Sequence, residues 1–169
     1  MENYKIRVTK DYLCFCAAHF IVFRGDECEK IHGHNYRVAA ELDAELGEDF
    51  LVFDFIEMKR ILRAITDKLD HLMLVPTKST KLAVEIGEKT VRIGFEDKEW
   101  IFPREDCALL PVENTTAELL ARHIGQRLQE ELEKGGARLD RAGGFRALRI
   151  EVEETPGQSA VYEATATET

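Results

Sequence analysis

Hydrophobic and polar residues alternate along the first part of the chain, which is the pattern of β-strands. Over residues 4–20 the alternation places one set of side chains on a single face of a predicted strand, namely Leu13, Phe15, Ala17 and His19. A second predicted strand, rich in β-branched and aromatic residues, leads from Tyr36 to about Leu46. The connection over residues 21–31 carries a turn signal at Gly25 and Asp26, which allows the two strands to form an antiparallel hairpin.

The spacing becomes helical after Asp54, which with Glu57 forms a variant of the capping box. One stripe of this helix is predicted to face the sheet, and it consists of Phe55, Met58, Ile61, Leu62, Ile65 and Leu69. The helix is expected to end near Asp70 and His71.

A second helix is predicted to open at the capping box Thr115-Thr-Ala-Glu118. Its apolar stripe is formed by Ala117, Leu120, Ala121, Ile124, Leu128 and Leu132. His123 lies at the edge of that stripe and is predicted to be exposed. Gly135 and Gly136 supply the left-handed residue that ends the helix.

Between the helices lies an expected insert at about residues 75–113. It contains three short strand patterns, at residues 82–86, 90–95 and 99–102, separated by turn residues. We interpret it as a β-meander packed on or near the functional site, and not as a second domain. Residues 1–169 therefore form one predicted domain.

The last strand is predicted over residues 145–154, followed by a Pro156-Gly157 turn, a short strand to Glu163 and a disordered tail from Ala164. The order of elements is strand, strand, helix, insert, helix, strand, strand. This order predicts an α+β domain in which two helices cover one face of an antiparallel sheet.

Composition narrows the functional classes. With 44% apolar and 33% charged residues, the chain has the composition of a soluble globular protein. A net charge of −9 argues against nucleic acid as a partner, because phosphate backbones require basic patches. No run of apolar residues is long enough to span a membrane, and no signal pattern opens the chain, so we expect a cytoplasmic protein with its four cysteines as free thiols.

Three of the five histidines fall within sixteen positions, as His19, His32 and His34. Residues two apart on a strand share a face, so His32 and His34 present both imidazoles on one side. A hairpin with a connection of about 12 residues brings His19 beside them. Three imidazoles with one open position are typical of a catalytic zinc site. The alternative interpretations are exposed strand polarity and a purely structural zinc site.

Two motifs resemble the 6-pyruvoyl-tetrahydropterin synthase family, which includes the 6-carboxy-tetrahydropterin synthases of queuosine biosynthesis. They are Phe15-Cys-Ala-Ala-His19 and Cys28-x-x-x-His32-Gly-His34-Asn-Tyr36. The resemblance implies the tunnelling fold, in which each subunit contributes a four-stranded antiparallel sheet with two helices on one face. It also implies a homo-oligomer, in which three subunits close a barrel, two trimers stack into a hexamer, and active sites lie between subunits.

The same resemblance implies a zinc-dependent lyase, with Zn2+ held by the three histidines. Its substrate would be 7,8-dihydroneopterin triphosphate, converted to 6-carboxy- or 6-pyruvoyl-tetrahydropterin with loss of triphosphate. Cys28, Asp70 and His71 would relay protons at the pterin side chain. A thiol beside a metal and a histidine can have a lowered pKa, which agrees with that role for Cys28.

Three further residues are candidates for substrate binding. Glu154 follows the buried face of the last strand, where a carboxylate needs a partner, and the resemblance implies that it anchors the pterin. Thr116 matches the threonine of a family motif. Glu29 raises an alternative, because some relatives use a glutamate next to, or in place of, the cysteine to form 6-hydroxymethyl-7,8-dihydropterin for folate synthesis. A non-catalytic pterin-binding metalloprotein is the other alternative.

Overall fold

A computed structural model of the chain describes residues 2–137, 139 and 144–166. Its strands in chain order are β1 (Tyr4–His19), β2 (Val22–Phe23), β3 (Glu27–Cys28), β4 (His32–Ala44), β5 (Leu72–Pro76), β6 (Ala83–Ile86), β7 (Thr90–Phe95), β8 (Lys98–Pro103), β9 (Cys107–Leu110), β10 (Ala147–Thr155) and β11 (Gln158–Thr165). The helices are α1 (Phe55–Thr66) and α2 (Ala117–Lys134).

The main sheet has six strands in the order β11-β10-β4-β1-β5-β9. The first four are antiparallel, as the sequence predicts, but β5 is parallel to β1 and β9 is parallel to β5. The prediction of a four-stranded antiparallel sheet is therefore wrong, and the sheet is mixed. The two missed strands are short and almost entirely apolar, which is typical of strands buried in a parallel arrangement and leaves no alternation to detect.

The predicted insert is smaller than expected, because both of its ends belong to the main sheet. Its middle forms the expected meander, a separate three-stranded antiparallel sheet of β6, β7 and β8. A small apolar core joins this sheet to the end of β1, where Phe20 stacks on Trp100 with ring centroids 4.5 Å apart. The meander is thus fixed beside His19, at the end of β1.

Both helices begin at capping side chains and pack over one face of the main sheet. Asp54 accepts a hydrogen bond from Ile56 N, as predicted. The cap of α2 is Thr116, which accepts from Leu119 N, so the prediction of Thr115 as the first residue of a capping box is wrong. Thr115 is instead buried, and its hydroxyl donates to the Phe20 carbonyl at 3.2 Å. Helix α1 ends at Thr66, before the predicted Asp70.

The C-terminal strand is longer than predicted. It extends to Thr165, and Ala166 N donates a hydrogen bond to the Arg146 carbonyl, so the expected disordered tail is wrong for residues 164–166. Residues 167–169 lie outside the described part of the chain. Within the described residues, no helix combines the length and apolar character that a membrane span requires.

Gly125 marks the closest approach of α2 to the sheet. A Cβ atom there would lie 2.6 Å from Tyr162 Cδ1 and 3.4 Å from Ile150 Cγ1. We therefore expect Gly125→Ala to destabilise the fold by about 1–3 kcal/mol through overpacking, against a gain of roughly 1 kcal/mol in helix propensity. Chemical denaturation measures the difference, with the exposed Gln126→Ala in the same helix as the control. A stabilised Gly125→Ala variant would show that Tyr162 moves aside freely.

Candidate metal centre and active site

The pairing of β1 with β4 groups three histidines on one face of the sheet. His19 lies directly opposite His32, and Ala17 lies opposite His34. Directly opposed residues of an antiparallel pair share a face, and so do residues two apart on one strand. The three potential ligand nitrogens consequently lie within 4.8 Å of one another. Their side chains are 2%, 39% and 17% exposed for His19, His32 and His34, so the cluster opens to solvent on one side.

Backbone carbonyls orient two of the rings. His19 Nδ1 lies 2.9 Å from the Thr115 carbonyl, and His32 Nδ1 lies 2.8 Å from the Lys30 carbonyl. A carbonyl only accepts hydrogen bonds, so each Nδ1 carries the proton and each Nε2 presents its lone pair to the cluster. Burial lowers the pKa of His19, which keeps this ring neutral. Neutral, oriented imidazoles fit a divalent metal ion with a position left open for a further ligand.

Glu154 and Tyr36 complete the cluster from neighbouring strands. Glu154 Oε1 lies 3.5 Å from His19 Nε2 and 3.7 Å from His34 Nε2. The Tyr36 hydroxyl donates to the same carboxylate oxygen at 3.4 Å and lies 3.2 Å from both ring nitrogens of His19. Burial and the neighbouring Glu154 carboxylate raise the pKa of Tyr36, so it remains a neutral donor. Tyr36 thus holds the carboxylate beside the histidines.

Tyr36 belongs to the histidine motif, but no role for it was predicted from the sequence. A signal was available, because Tyr36 continues the same strand face two residues after His34. Its ring is fully buried and stacks on Phe15, with centroids 4.8 Å apart. This packing fixes the position of the hydroxyl.

A cavity of about 360 Å³ opens beside the histidines. Three of the predicted binding residues line it, namely Glu154, Thr116 and Glu29. Glu29 Oε2 lies 3.9 Å from His32 Nε2. The other walls come from the beginning of α2 and from β11, through Gln158, Ser159 and Ala160. The sequence did not indicate these β11 residues, because their side chains carry no distinctive pattern.

Cys28 does not line this cavity. It lies in β3, partly buried against the small apolar core, and its thiol is 3.6 Å from the Glu29 carbonyl. Burial raises the pKa of the Cys28 thiol above its ordinary value. The role of Cys28 in proton transfer stays a prediction.

Asp70 and His71 also lie outside the cavity, at the turn that leads into β5. One Asp70 oxygen accepts from Cys16 N at 2.7 Å, and the other lies 3.1 Å from His71 Nδ1. The hydrogen bond from Cys16 N lowers the pKa of Asp70. His71 adopts a left-handed φ of 59° while its side chain is 80% exposed. This backbone conformation brings two adjacent side chains into contact and holds the imidazole outward.

Comparison with known proteins gives consistent results. Residues 7–165 match the family described as 6-pyruvoyl tetrahydropterin synthase. The chain is similar to a putative 6-carboxy-5,6,7,8-tetrahydropterin synthase of Methanocaldococcus jannaschii, with 36% identity over 151 residues and 89% of each chain covered. It is also 25% identical over 138 residues to the 6-carboxy-5,6,7,8-tetrahydropterin synthase of Aquifex aeolicus, covering 81% of this chain and 76% of that protein.

Solved structures agree with the sequence matches. The crystal structure of 6-pyruvoyl tetrahydropterin synthase from Plasmodium vivax superposes with a TM-score of 0.86 at 28% identity, covering 98% of this chain and 99% of that chain. A second structure of the same enzyme, at 27% identity, is a mutant in which a glutamate described as a catalytic residue is replaced by alanine.

Proposed function

Because the chain belongs to the 6-pyruvoyl tetrahydropterin synthase family, we propose that it is a zinc-dependent lyase acting on 7,8-dihydroneopterin triphosphate. The reaction removes triphosphate and leaves a 6-substituted tetrahydropterin. The observation that carries this proposal is the histidine cluster, with ligand nitrogens within 4.8 Å of one another beside a cavity that holds a carboxylate. The name of the Methanocaldococcus jannaschii relative supports the 6-carboxy product, which belongs to deazapurine biosynthesis of the queuosine type.

His19, His32 and His34 would hold the metal, which supplies Lewis-acid chemistry at the side-chain hydroxyl and carbonyl oxygens. Glu154 would bind the pterin through two parallel hydrogen bonds, from the 2-amino group and a ring N–H. Tyr36 donates to Glu154 at 3.4 Å and keeps that carboxylate in place. A cavity of about 360 Å³ lies within the range of small-molecule sites.

The proton relay is proposed to be shared between subunits. Cys28 would act within one subunit, while Asp70 and His71 would come from a neighbour. One observation supports this division: the His71 side chain is 80% exposed and held outward by a left-handed backbone, so it is accessible to a site on another subunit. Conformations of this kind persist where the surroundings enforce them, often at functional sites.

The sheet offers the means of assembly. Strand β11 is an edge strand, and within the described residues β1 pairs with β5 only through Ala17 and Ala18. Residues 4–9 of β1 therefore have an open edge on the β5 side. Open edges are templates for strand pairing with another chain. We propose that β11 of one subunit pairs with β1 of the next, closing a barrel as a trimer or a dimer of trimers.

Glu29 supports a second candidate, formation of 6-hydroxymethyl-7,8-dihydropterin. Glu29 lines the cavity, whereas Cys28 does not, and its carboxylate lies 3.9 Å from His32 Nε2. The Plasmodium vivax enzyme has a glutamate described as catalytic. A carboxylate at this position would act as the general base in place of the thiol.

Product analysis tests both candidates. We expect mass spectrometry of the zinc-loaded protein, incubated with 7,8-dihydroneopterin triphosphate, to find 6-carboxytetrahydropterin. Cys28→Ala should reduce that product by about 100-fold or more, the usual contribution of a general acid or base, while pterin binding is retained. Glu29→Gln should change the product little, as should the control Glu27→Gln in β3, the strand that contains Cys28.

Other outcomes would contradict the main proposal. A hydroxymethyl product from the wild-type protein, abolished by Glu29→Gln and kept by Cys28→Ala, would establish the second candidate. Absence of any product, with zinc and pterin both bound, would exclude the lyase and leave a pterin-binding metalloprotein.

A further inference from the structure

A second cavity, of about 370 Å³, lies between α1, α2 and the end of β9. It shares no lining residue with the cavity at the histidine cluster. Its walls include apolar side chains of helix α1, namely Ile61 and Ile65, and of strand β9, namely Leu110. Its volume and mixed lining are those of pockets for small organic molecules.

Basic side chains outnumber acidic ones in the lining of this cavity, although the chain carries a net charge of −9. Arg60, Lys68 and Arg127 line it with a single carboxylate, Glu131. Arg60 is already paired with Glu57 at 2.6 Å and Arg127 with Glu130 at 2.8 Å, so Lys68 is the cation of this lining that can bind a ligand. Glu131 is paired with Lys134 at 2.6 Å, outside the lining. Among the described residues, the side chain of Lys68 makes no hydrogen bond or close ion pair, so its ammonium is available to a ligand.

His123 supplies a polar group inside the cavity. The residue is only 8% exposed, which corrects the sequence prediction of a surface residue. Among the described residues, the His123 ring makes no hydrogen bond to another part of the protein. Every fully buried polar side-chain atom in the described part of the chain has a partner, so the ring nitrogens are accessible from the cavity. Burial, with a smaller effect of Arg127, lowers the pKa of His123 to about 4. At neutral pH the ring therefore offers one donor and one acceptor.

We propose that this cavity binds a small aromatic carboxylate. The ring would pack on the apolar walls formed by Ile61 and Ile65, and the carboxylate would pair with Lys68. His123 would add a hydrogen bond from the α2 side. Because the ring nitrogens have no partner among the described residues, a ligand that fills the cavity has to supply one, and a carboxylate oxygen can accept a hydrogen bond from the ring N–H. This site is independent of the reaction proposed above.

The test uses 2-naphthoate as the probe and the full-length, metal-loaded protein. We expect isothermal titration calorimetry to detect binding, and NMR to show a shift of the His123 ring nitrogens on saturation. Lys68→Gln should weaken binding about tenfold, the usual effect of losing a charged hydrogen-bond partner. The matched control Lys59→Gln, which removes a charge from α1 outside this cavity, should leave binding unchanged.

The neutral analogue 2-naphthamide separates an anion site from general apolar binding. It should bind at least about tenfold more weakly than the carboxylate. Equal affinity for the two probes, or unchanged His123 signals at saturation, would overturn the proposal. So would the absence of binding in protein whose circular dichroism shows the native fold.

Discussion

Replacing His32 with alanine is expected to abolish metal binding and to lower turnover on the order of 1000-fold or more, since Lewis-acid stabilisation is worth several kcal/mol. His32 is the best of the three positions for this test. Its side chain is 39% exposed, so its loss leaves the core intact, whereas His19 is 2% exposed. Metal content by mass spectrometry and kcat with 7,8-dihydroneopterin triphosphate are the measurements.

Asn35→Ala is the matched control, because Asn35 lies on the same strand but on the opposite face. It should retain both metal and activity. Full metal occupancy and turnover in His32→Ala would remove His32 from the ligand set.

Chelation of the wild-type protein tests the alternative of a purely structural zinc site. We expect activity to be lost with the fold kept, because the main core does not depend on the histidines. Unfolding on chelation would identify a structural zinc site.

Glu154→Gln is expected to raise the KM for the pterin substrate by about 100-fold with little change in metal content. The carboxylate can accept from both the 2-amino group and the ring N–H, but an amide places a donor opposite one of them. Losing one charged hydrogen bond and leaving a buried donor unpaired costs about 3 kcal/mol, which corresponds to this factor. Steady-state kinetics and metal analysis of the purified variant provide the two readouts.

Glu153→Gln is the control for this substitution. Glu153 precedes Glu154 on β10 and accepts a hydrogen bond from Gly157 N at 2.9 Å, which the amide oxygen of glutamine can also accept. Its kinetics should match those of the wild type. Loss of metal from Glu154→Gln with an unchanged KM would instead show that Glu154, whose Oε1 lies 3.5 Å from His19 Nε2, is a metal ligand.

The histidine cluster was predictable because it depends on local geometry. His32 and His34 share a face through the period of one strand, and His19 reaches them through a hairpin closed by a short connection. The helix starts were predictable to within one residue for the same reason, since capping side chains act on backbone groups two or three residues away.

Two parts of the fold escaped sequence reasoning. Strands β5 and β9 are short apolar runs, and a short apolar run can form either a strand or a buried helix segment. Only their pairing with parallel neighbours makes them strands. His123 lies at the edge of the apolar stripe of α2, and its burial depends on how α1 packs against α2. Periodicity within one element contains no information about the neighbour that will cover it.

By itself, the sequence determined the three clustered histidines, the hairpin that presents them, the two helices and the family resemblance, because all of these follow from patterns within short stretches of the chain. Only the tertiary structure decided which distant groups surround that cluster. Tyr36 contacts Glu154, which lies 118 positions away in the sequence, and His19 contacts the Thr115 carbonyl, which lies 96 positions away. Such contacts result from strand pairing and helix packing between remote segments, and local periodicity does not specify those pairings.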